Sequence, residues 1–480
     1  MAVIAAFVLN AGLNFVLGLL IAKLLGPADF GRFALATAGA IVVNTVLFEW
    51  LRLSATRFYS SRVRTGEPWI RHGLDRAYAI LALLLFAAAA LAGGLGVGDG
   101  PDGRGAILCG AMLAALGIGV FDYHAALARA RFDGRLYFGL VAVKNVLAFA
   151  LMAGAAWYLP QPAWVLAAAG LSQLLAVLIL RRPLRDPVTA FERPRMRATW
   201  RLFLRYGLPL IAANAAYQIL PVLNRGTIAA QSGFAEAGYF ALAADVTSRS
   251  LTMLGTALDL LLFQLAVRAE EQHGRAAAER QVADNAATVF ALLLPCAVGF
   301  WAVLPALQAL VVPEAYRGPF ALYATLLIPG LFCLALMFFA INPIFQIRRR
   351  TLPVIAAAAI GLAGNGLGLL VLPPILGSAG IALAQTLGLV AAFAWLAVRA
   401  LAGRDRLRLP WREIASASVA CGAMAVALVP LRHLDPPSAL GLCVPVGAGL
   451  YAALVWTFDI AGLRRRMETL FRPAHPVAAE

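Results

Sequence analysis

Apolar runs of about 18 to 25 residues recur along the 480-residue chain, separated by short polar or Gly/Pro-containing connections. As an α-helix, each run is long enough to cross a hydrocarbon layer of ~30 Å. The runs lack the period-two alternation of a membrane β-barrel. The pattern predicts an all-α polytopic membrane protein with about fourteen transmembrane helices, over roughly 2–22, 33–56, 77–96, 105–127, 137–158, 163–180, 204–224, 239–264, 284–310, 320–346, 352–372, 379–398, 413–430 and 438–458. The first run lacks the basic flank and small-residue cleavage site of a signal peptide, and Lys23 and Gly26-Pro27 follow it.

Within this pattern one turn is repeated. Leu24-Leu25-Gly26-Pro27-Ala28-Asp29-Phe30-Gly31-Arg32-Phe33-Ala34-Leu35-Ala36 joins the first two spans. At a constant offset of 207, Gly31, Phe33, Ala34, Leu35 and Ala36 match Gly238, Phe240, Ala241, Leu242 and Ala243, and an acid precedes each glycine by two positions (Asp29, Glu236). Ala and Leu are abundant enough for short chance matches. A second echo, Leu171-Ser172-Gln173-Leu174-Leu175 with Leu383-Ala384-Gln385-Thr386-Leu387, lies at offset 212. Together they point to a duplicated architecture. The expected arrangement is two six-helix bundles, residues 1–200 and 201–400, related by an internal repeat, followed by two further helices and a tail in 401–480. Pro27 and Gly31 are expected to break the helix at the first turn.

Composition agrees: 62% of residues are hydrophobic, 13% are charged, and the mean hydropathy is +0.81. The net charge of +16 raises the question of nucleic acid, but topology accounts for it better. With the N-terminus inside, the inward connections and their rims hold 31 of the 40 Lys and Arg. The outward ones hold only Lys23, Arg32, Arg104, Arg225, Arg317 and Arg432. This asymmetry places both termini in the cytoplasm and the inner loops against anionic lipid headgroups. The five cysteines are scattered, with no CxxC, so no metal or disulfide set is expected. No Gly-rich strand–turn–helix pattern calls for a nucleotide or other cofactor.

Charges inside spans are costly and are functional candidates. The bases are Arg52, Lys144 and Arg249; the acids are Glu49, Asp122, Asp245 and Asp259. Spacing pairs Glu49 with Arg52 (i,i+3) and Asp245 with Arg249 (i,i+4). Asp122 and Lys144 are equidistant from Asp133 in a hairpin turn, which pairs them at similar depth. Asp259 is left over as a candidate for proton coupling; the alternative is inner-side water or a neighbouring Arg. The pairs either neutralise one another and fix packing, or their bases line a cavity and hold phosphate. His124 reads as a packing residue. Asn14, Asn214, Gln218, Asn342, Asn365 and Gln385 are either interhelical hydrogen bonds or contacts to sugar hydroxyls.

The Leu-Leu-Gly-Pro-Ala-Asp-Phe-Gly turn, Tyr206-Gly207-Leu208-Pro209, Asn224-Arg225 and Gly238-Tyr239-Phe240-Ala241 resemble the polysaccharide transport branch of the multidrug/oligosaccharidyl-lipid/polysaccharide (MOP) flippase superfamily. At Asn224-Arg225 that branch often has Asp-Arg, from which Asn224 departs; Arg225 is a further candidate for the substrate cavity. The resemblance implies two bundles around a central cavity. It also implies alternating access, and flipping of an undecaprenyl-pyrophosphate-linked oligosaccharide across a bacterial inner membrane for O-antigen, capsule or exopolysaccharide synthesis. Its implied partners are that lipid-linked oligosaccharide, membrane lipids, and polysaccharide polymerase or export proteins. A cation-coupled drug or metabolite exporter of the same superfamily is a second reading. A membrane glycosyltransferase or ligase is a third, disfavoured because the outer connections are too short to carry catalytic side chains; the chain is expected not to be an enzyme.

Overall fold

The computed structural model describes residues 2–59, 67, 69–95, 103–186, 193–348, 350–402, 406–462 and 464. Arg62 and Arg64 of the basic inner loop, linker residues 187–192 and the tail beyond 464 lie outside the described residues. The protein is an all-α polytopic membrane protein, and no strand occurs among the described residues. The long helices are α1 (Ala2–Asn44), α2 (Trp50–Phe58), α3 (Trp69–Leu95), α4 (Arg104–Ala130), α5 (Gly134–Tyr158), α6 (Pro162–Ile179), α7 (Arg193–Ser232), α8 (Phe234–His273), α9 (Arg275–Leu310), α10 (Pro319–Leu336), α11 (Leu352–Val371), α12 (Ser378–Leu401), α13 (Trp411–Leu431) and α14 (Pro436–Phe458). Twelve helices among the described residues are long and apolar enough to cross a membrane. The first of these, Gly12–Phe58, contains both of the first two expected spans; α7, which covers expected span 204–224, is not among the twelve.

The break between the first two spans differs from expectation. Only Gly26 leaves helical backbone (φ 73°, ψ 172°), and the helix resumes at Pro27, whose fixed φ suits a helix start. Gly31 is inside the resumed helix and works by size. A methyl group placed there would lie 1.9 Å from the Phe234 carbonyl oxygen and 2.9 Å from the Gly238 nitrogen. At Gly238 it would lie 2.1 Å from the Pro27 carbonyl oxygen and 3.3 Å from the Gly31 nitrogen. Pro27 and Phe234 are themselves at the repeat offset. The two matching segments therefore meet backbone to backbone and exchange close contacts at positions 207 apart.

Contacts divide the chain into two compact units: residues 1–246 with 358–388, and residues 247–357 with 389–480. This division by packing differs from the expected one at 200 and 400, which rests on the repeated motifs. In the first unit, lipid supplies no hydrophobic drive between helices, so small residues bring backbones together. Helices α4 and α6 touch at Gly117 and Gly170, where a Cβ on either would meet the other helix's backbone at 2.4–2.7 Å. At one end of this unit a polar network ties α2, α3, α4 and the start of the linker. Arg131 pairs with Asp186 (3.0 Å), Arg71 with Asp186 (3.3 Å) and with Asp75 (2.8 Å). The Tyr59 hydroxyl donates to Asp186 and accepts from Arg131 Nε (2.9 Å). Burial, reinforced by the Asp186 hydrogen bond, raises the Tyr59 phenol above its ordinary pKa. In the second unit the two C-terminal helices, α13 and α14, pack on α9 through Ala291, Ala302, Ala417, Cys421 and Met424. The buried Tyr451 hydroxyl donates to the Ala291 carbonyl at 2.6 Å.

Candidate functional site

Two intramembrane charges of the first unit, Glu49 and Arg52, lie at a π-helical turn, Thr45–Glu49, between α1 and α2. Such turns widen the helix and recur at functional positions. Gly119 of α4 leaves room for the Phe48 ring, which a Cβ would meet at 2.6 Å. Phe48 stacks on Tyr78 (5.5 Å between centroids), and Tyr78 on Tyr123 (4.0 Å). The Tyr78 hydroxyl donates to the Phe48 carbonyl at 3.1 Å. This wall fixes Glu49, which is buried.

Glu49 accepts from Arg52, as its i,i+3 spacing predicts. Its second oxygen accepts from Asn214 Nδ2 of α7 at 2.7 Å. Arg52 keeps most of its guanidinium N–H groups for other partners; its side chain is 30% exposed. Asp122 of α4 has Arg52, Arg129 and Lys144 among the cations that act on it.

Lys144 is among the charges acting on Asp122, as its depth predicts, but its described hydrogen bond goes elsewhere. Lys144 Nζ donates to Asn10 Oδ1 of α1 at 2.9 Å and lies 5.8 Å above the Phe121 ring. Equal distance from the hairpin turn set the depth of the two residues but not their rotation about their helices. The Asp245–Arg249 pairing is corrected. Asp245 is held by Arg225 at 2.6 Å, and Arg225 also donates to the Ala34 carbonyl at 2.9 Å. A buried guanidinium arriving from the preceding helix engages the carboxylate, while Arg249 is exposed. Arg225 thus ties α7 to α8 and α1. Among the described residues, Asp259 of the second unit makes no hydrogen bond or ion pair.

Several polar candidates join helices. Asn224 Nδ2 donates to Gln385 (2.7 Å) and Asn365 Nδ2 to Asn224 (3.0 Å), linking α7, α11 and α12. Asn14 donates to Asn10 Oδ1 of its own helix at 2.8 Å and to Asn145 Oδ1 of α5 at 3.5 Å. His124 contacts the Val120 carbonyl of its own helix through Nδ1 at 2.8 Å, in keeping with a packing role. Asn10 and Tyr78 were missed by sequence reasoning; the asparagine at membrane depth was a usable signal. No group of three or more potential metal ligands occurs among the described residues.

The helical fold is similar to that of solved membrane transporters. The chain is similar over 95% of its length to 98% of a solved structure of the lipid II flippase MurJ in an inward closed conformation, with a TM-score of 0.73 at 12% identity. It covers 95% of an inward-facing multidrug resistance MATE family transporter of the MOP superfamily, over 83% of this chain, with a TM-score of 0.50 at 17% identity. It covers 93% of a mutant of the Vibrio cholerae MATE transporter VcmN, over 82% of this chain, with a TM-score of 0.52 at 12% identity. At these identities the likeness is one of fold. No protein-family model matches the sequence, and no curated protein matches it.

Proposed function

We propose that this chain is a flippase that moves an undecaprenyl-pyrophosphate-linked oligosaccharide across the bacterial inner membrane by alternating access, for O-antigen, capsule or exopolysaccharide synthesis. The observation that carries the reading is the pair of cations at membrane depth in the first unit. Arg52 and Lys144 both act on Asp122, and each is held by a hydrogen bond within the first unit, Arg52 by Glu49 and Lys144 by Asn10. A guanidinium fork and an ammonium point charge suit a pyrophosphate. The higher fold similarity to a lipid II flippase than to MATE transporters supports the same choice. On this reading the chain is a transporter, not an enzyme, with fourteen spans and both termini cytoplasmic. Its halves, 1–200 and 201–400, superpose with Gly31 on Gly238. Arg225 and Arg249 are additional cavity candidates.

The test is transport in cells lacking their own flippase. Arg52→Ala and Lys144→Ala should each reduce the lipid-linked oligosaccharide accessible on the outer face by about tenfold or more, the worth of one charge-assisted contact. Arg52→Lys should retain part of it. Normal flipping by both alanine variants at normal protein level would overturn the assignment.

The exporter reading is favoured by one observation, the lone carboxylate of Asp259 within a span. If Asp259 couples a proton, Asp259→Asn should abolish transport driven by a pH gradient and leave protein level and substrate binding near normal. An Asn variant with full activity and an unchanged pH profile would remove the coupling role.

A further inference from the structure

A cavity of about 840 Å³ opens in the first unit beside the repeated turn. None of Glu49, Arg52 and Asp122 lines it. Its size falls within the ~300–1,000 Å³ of sites that enclose a drug-sized molecule. Its walls come from the resumed part of α1, the start of α4 and the end of α7, closed at one side by Phe234. The lining is apolar, with Leu35, Val43, Leu108 and Met112 among its side chains, and its two ionic groups are Arg32 and Arg104. Leu108 is 52% exposed, so the trough reaches the protein's outer surface.

The polar end has a defined charge. Arg32 pairs with Asp29 at 2.6 Å and its guanidinium lies 5.2 Å above the Phe234 ring. That leaves it oriented, with further N–H groups on its fork. Arg104 is exposed and has no ion pair among the described residues. Arg32, Asp29 and Arg104 together carry one net positive charge. An apolar trough with a single net positive charge at one end matches an acyl chain ending in one phosphodiester. A pyrophosphate would bring more negative charge than this end balances.

We infer that the cavity is a binding site for one acidic membrane phospholipid, its chain in the trough and its phosphodiester between Arg32 and Arg104. The site is separate from the transported substrate and does not depend on the flippase reading. Gly39 supplies the means to test it. It lines the cavity, and a Cβ built on it has no neighbour within 4 Å. A large side chain there would enter the empty space and displace the lipid chain without striking the protein.

The experiment is native mass spectrometry of the full-length protein in detergent, titrated with phosphatidylglycerol or with phosphatidylcholine of the same chains. The wild type should retain one phosphatidylglycerol at about tenfold lower concentration than phosphatidylcholine. Arg104→Ala should abolish that preference, and Gly39→Phe should remove retention of both lipids. If Gly39→Phe does not fold, Gly226→Leu fills the trough from the α7 side, where the nearest atom is Leu35 Cδ1 at 3.9 Å. Equal retention of the two lipids by the wild type would overturn the inference. So would unchanged retention in both the Arg104 and the cavity-filling variants. Complete displacement of phosphatidylglycerol by millimolar inorganic phosphate would show a site for the free anion and likewise overturn it.

Discussion

Gly31→Ala should cost at least about 3 kcal/mol of stability, at or beyond the upper end of ordinary overpacking. The added methyl would sit 1.9 Å from a backbone carbonyl oxygen, far inside van der Waals contact, so the helices would have to part. A carbonyl in a helix cannot swing aside as a side-chain tip can. Separating the helices would also loosen the reciprocal contact at Gly238, so Gly238→Ala should behave the same way. The control lies two turns along the same helix. Gly39→Ala meets nothing within 4 Å and should be neutral or stabilise by ~0.5–1 kcal/mol through helix propensity. Thermal melting of detergent-solubilised fluorescent fusions, followed by size-exclusion chromatography, separates the three. Equal melting temperatures for Gly31→Ala and Gly39→Ala would mean the backbone contact is absent.

The second large effect is expected at Arg225. Arg225→Leu removes a buried guanidinium that serves Asp245 and the Ala34 carbonyl. Truncating one member of a buried pair costs ~3–5 kcal/mol. The Asp245 side chain is 40% exposed and can rehydrate, so about 2–3 kcal/mol is the expected loss. The double variant Arg225→Leu, Asp245→Leu should recover part of it, because the carboxylate no longer lacks a partner. Melting curves of the two single variants and the double give the coupling directly. A double variant no better than Arg225→Leu alone would assign the loss to the Ala34 contact.

The difference between the legible and the hidden parts of this site has a physical cause. Hydropathy reports burial in lipid along one dimension, so the helical class and most spans are readable residue by residue. The Glu49–Arg52 pair is readable for the same reason: neighbours at i,i+3 are fixed by the helix itself. The partners of Asp245 and Lys144 were not readable. Arg225 reaches Asp245 from the preceding helix, and Asn10 reaches Lys144 from a helix 134 residues away. Those meetings depend on how each helix is rotated in the bundle, which periodicity does not record when almost every face is apolar. The role of Gly31 was misread because the sequence marks it as a glycine without saying whether backbone freedom or small size is needed.

The Tyr59–Arg71–Arg131–Asp186 network also bears on how the chain is made. Three of its members emerge early in synthesis, with α2, α3 and α4. The carboxylate that joins them belongs to Asp186, after α6. Until the ribosome has passed that residue, Arg71 has only Asp75 and Arg131 lacks its acid. The first group of helices can therefore be inserted in order but fastened only when it is complete, just ahead of the linker to the next. Asp186 is the last member of this network to be made, and a truncated chain ending before it would leave Arg131 without its carboxylate and the ends of α2, α3 and α4 that meet there less firmly joined.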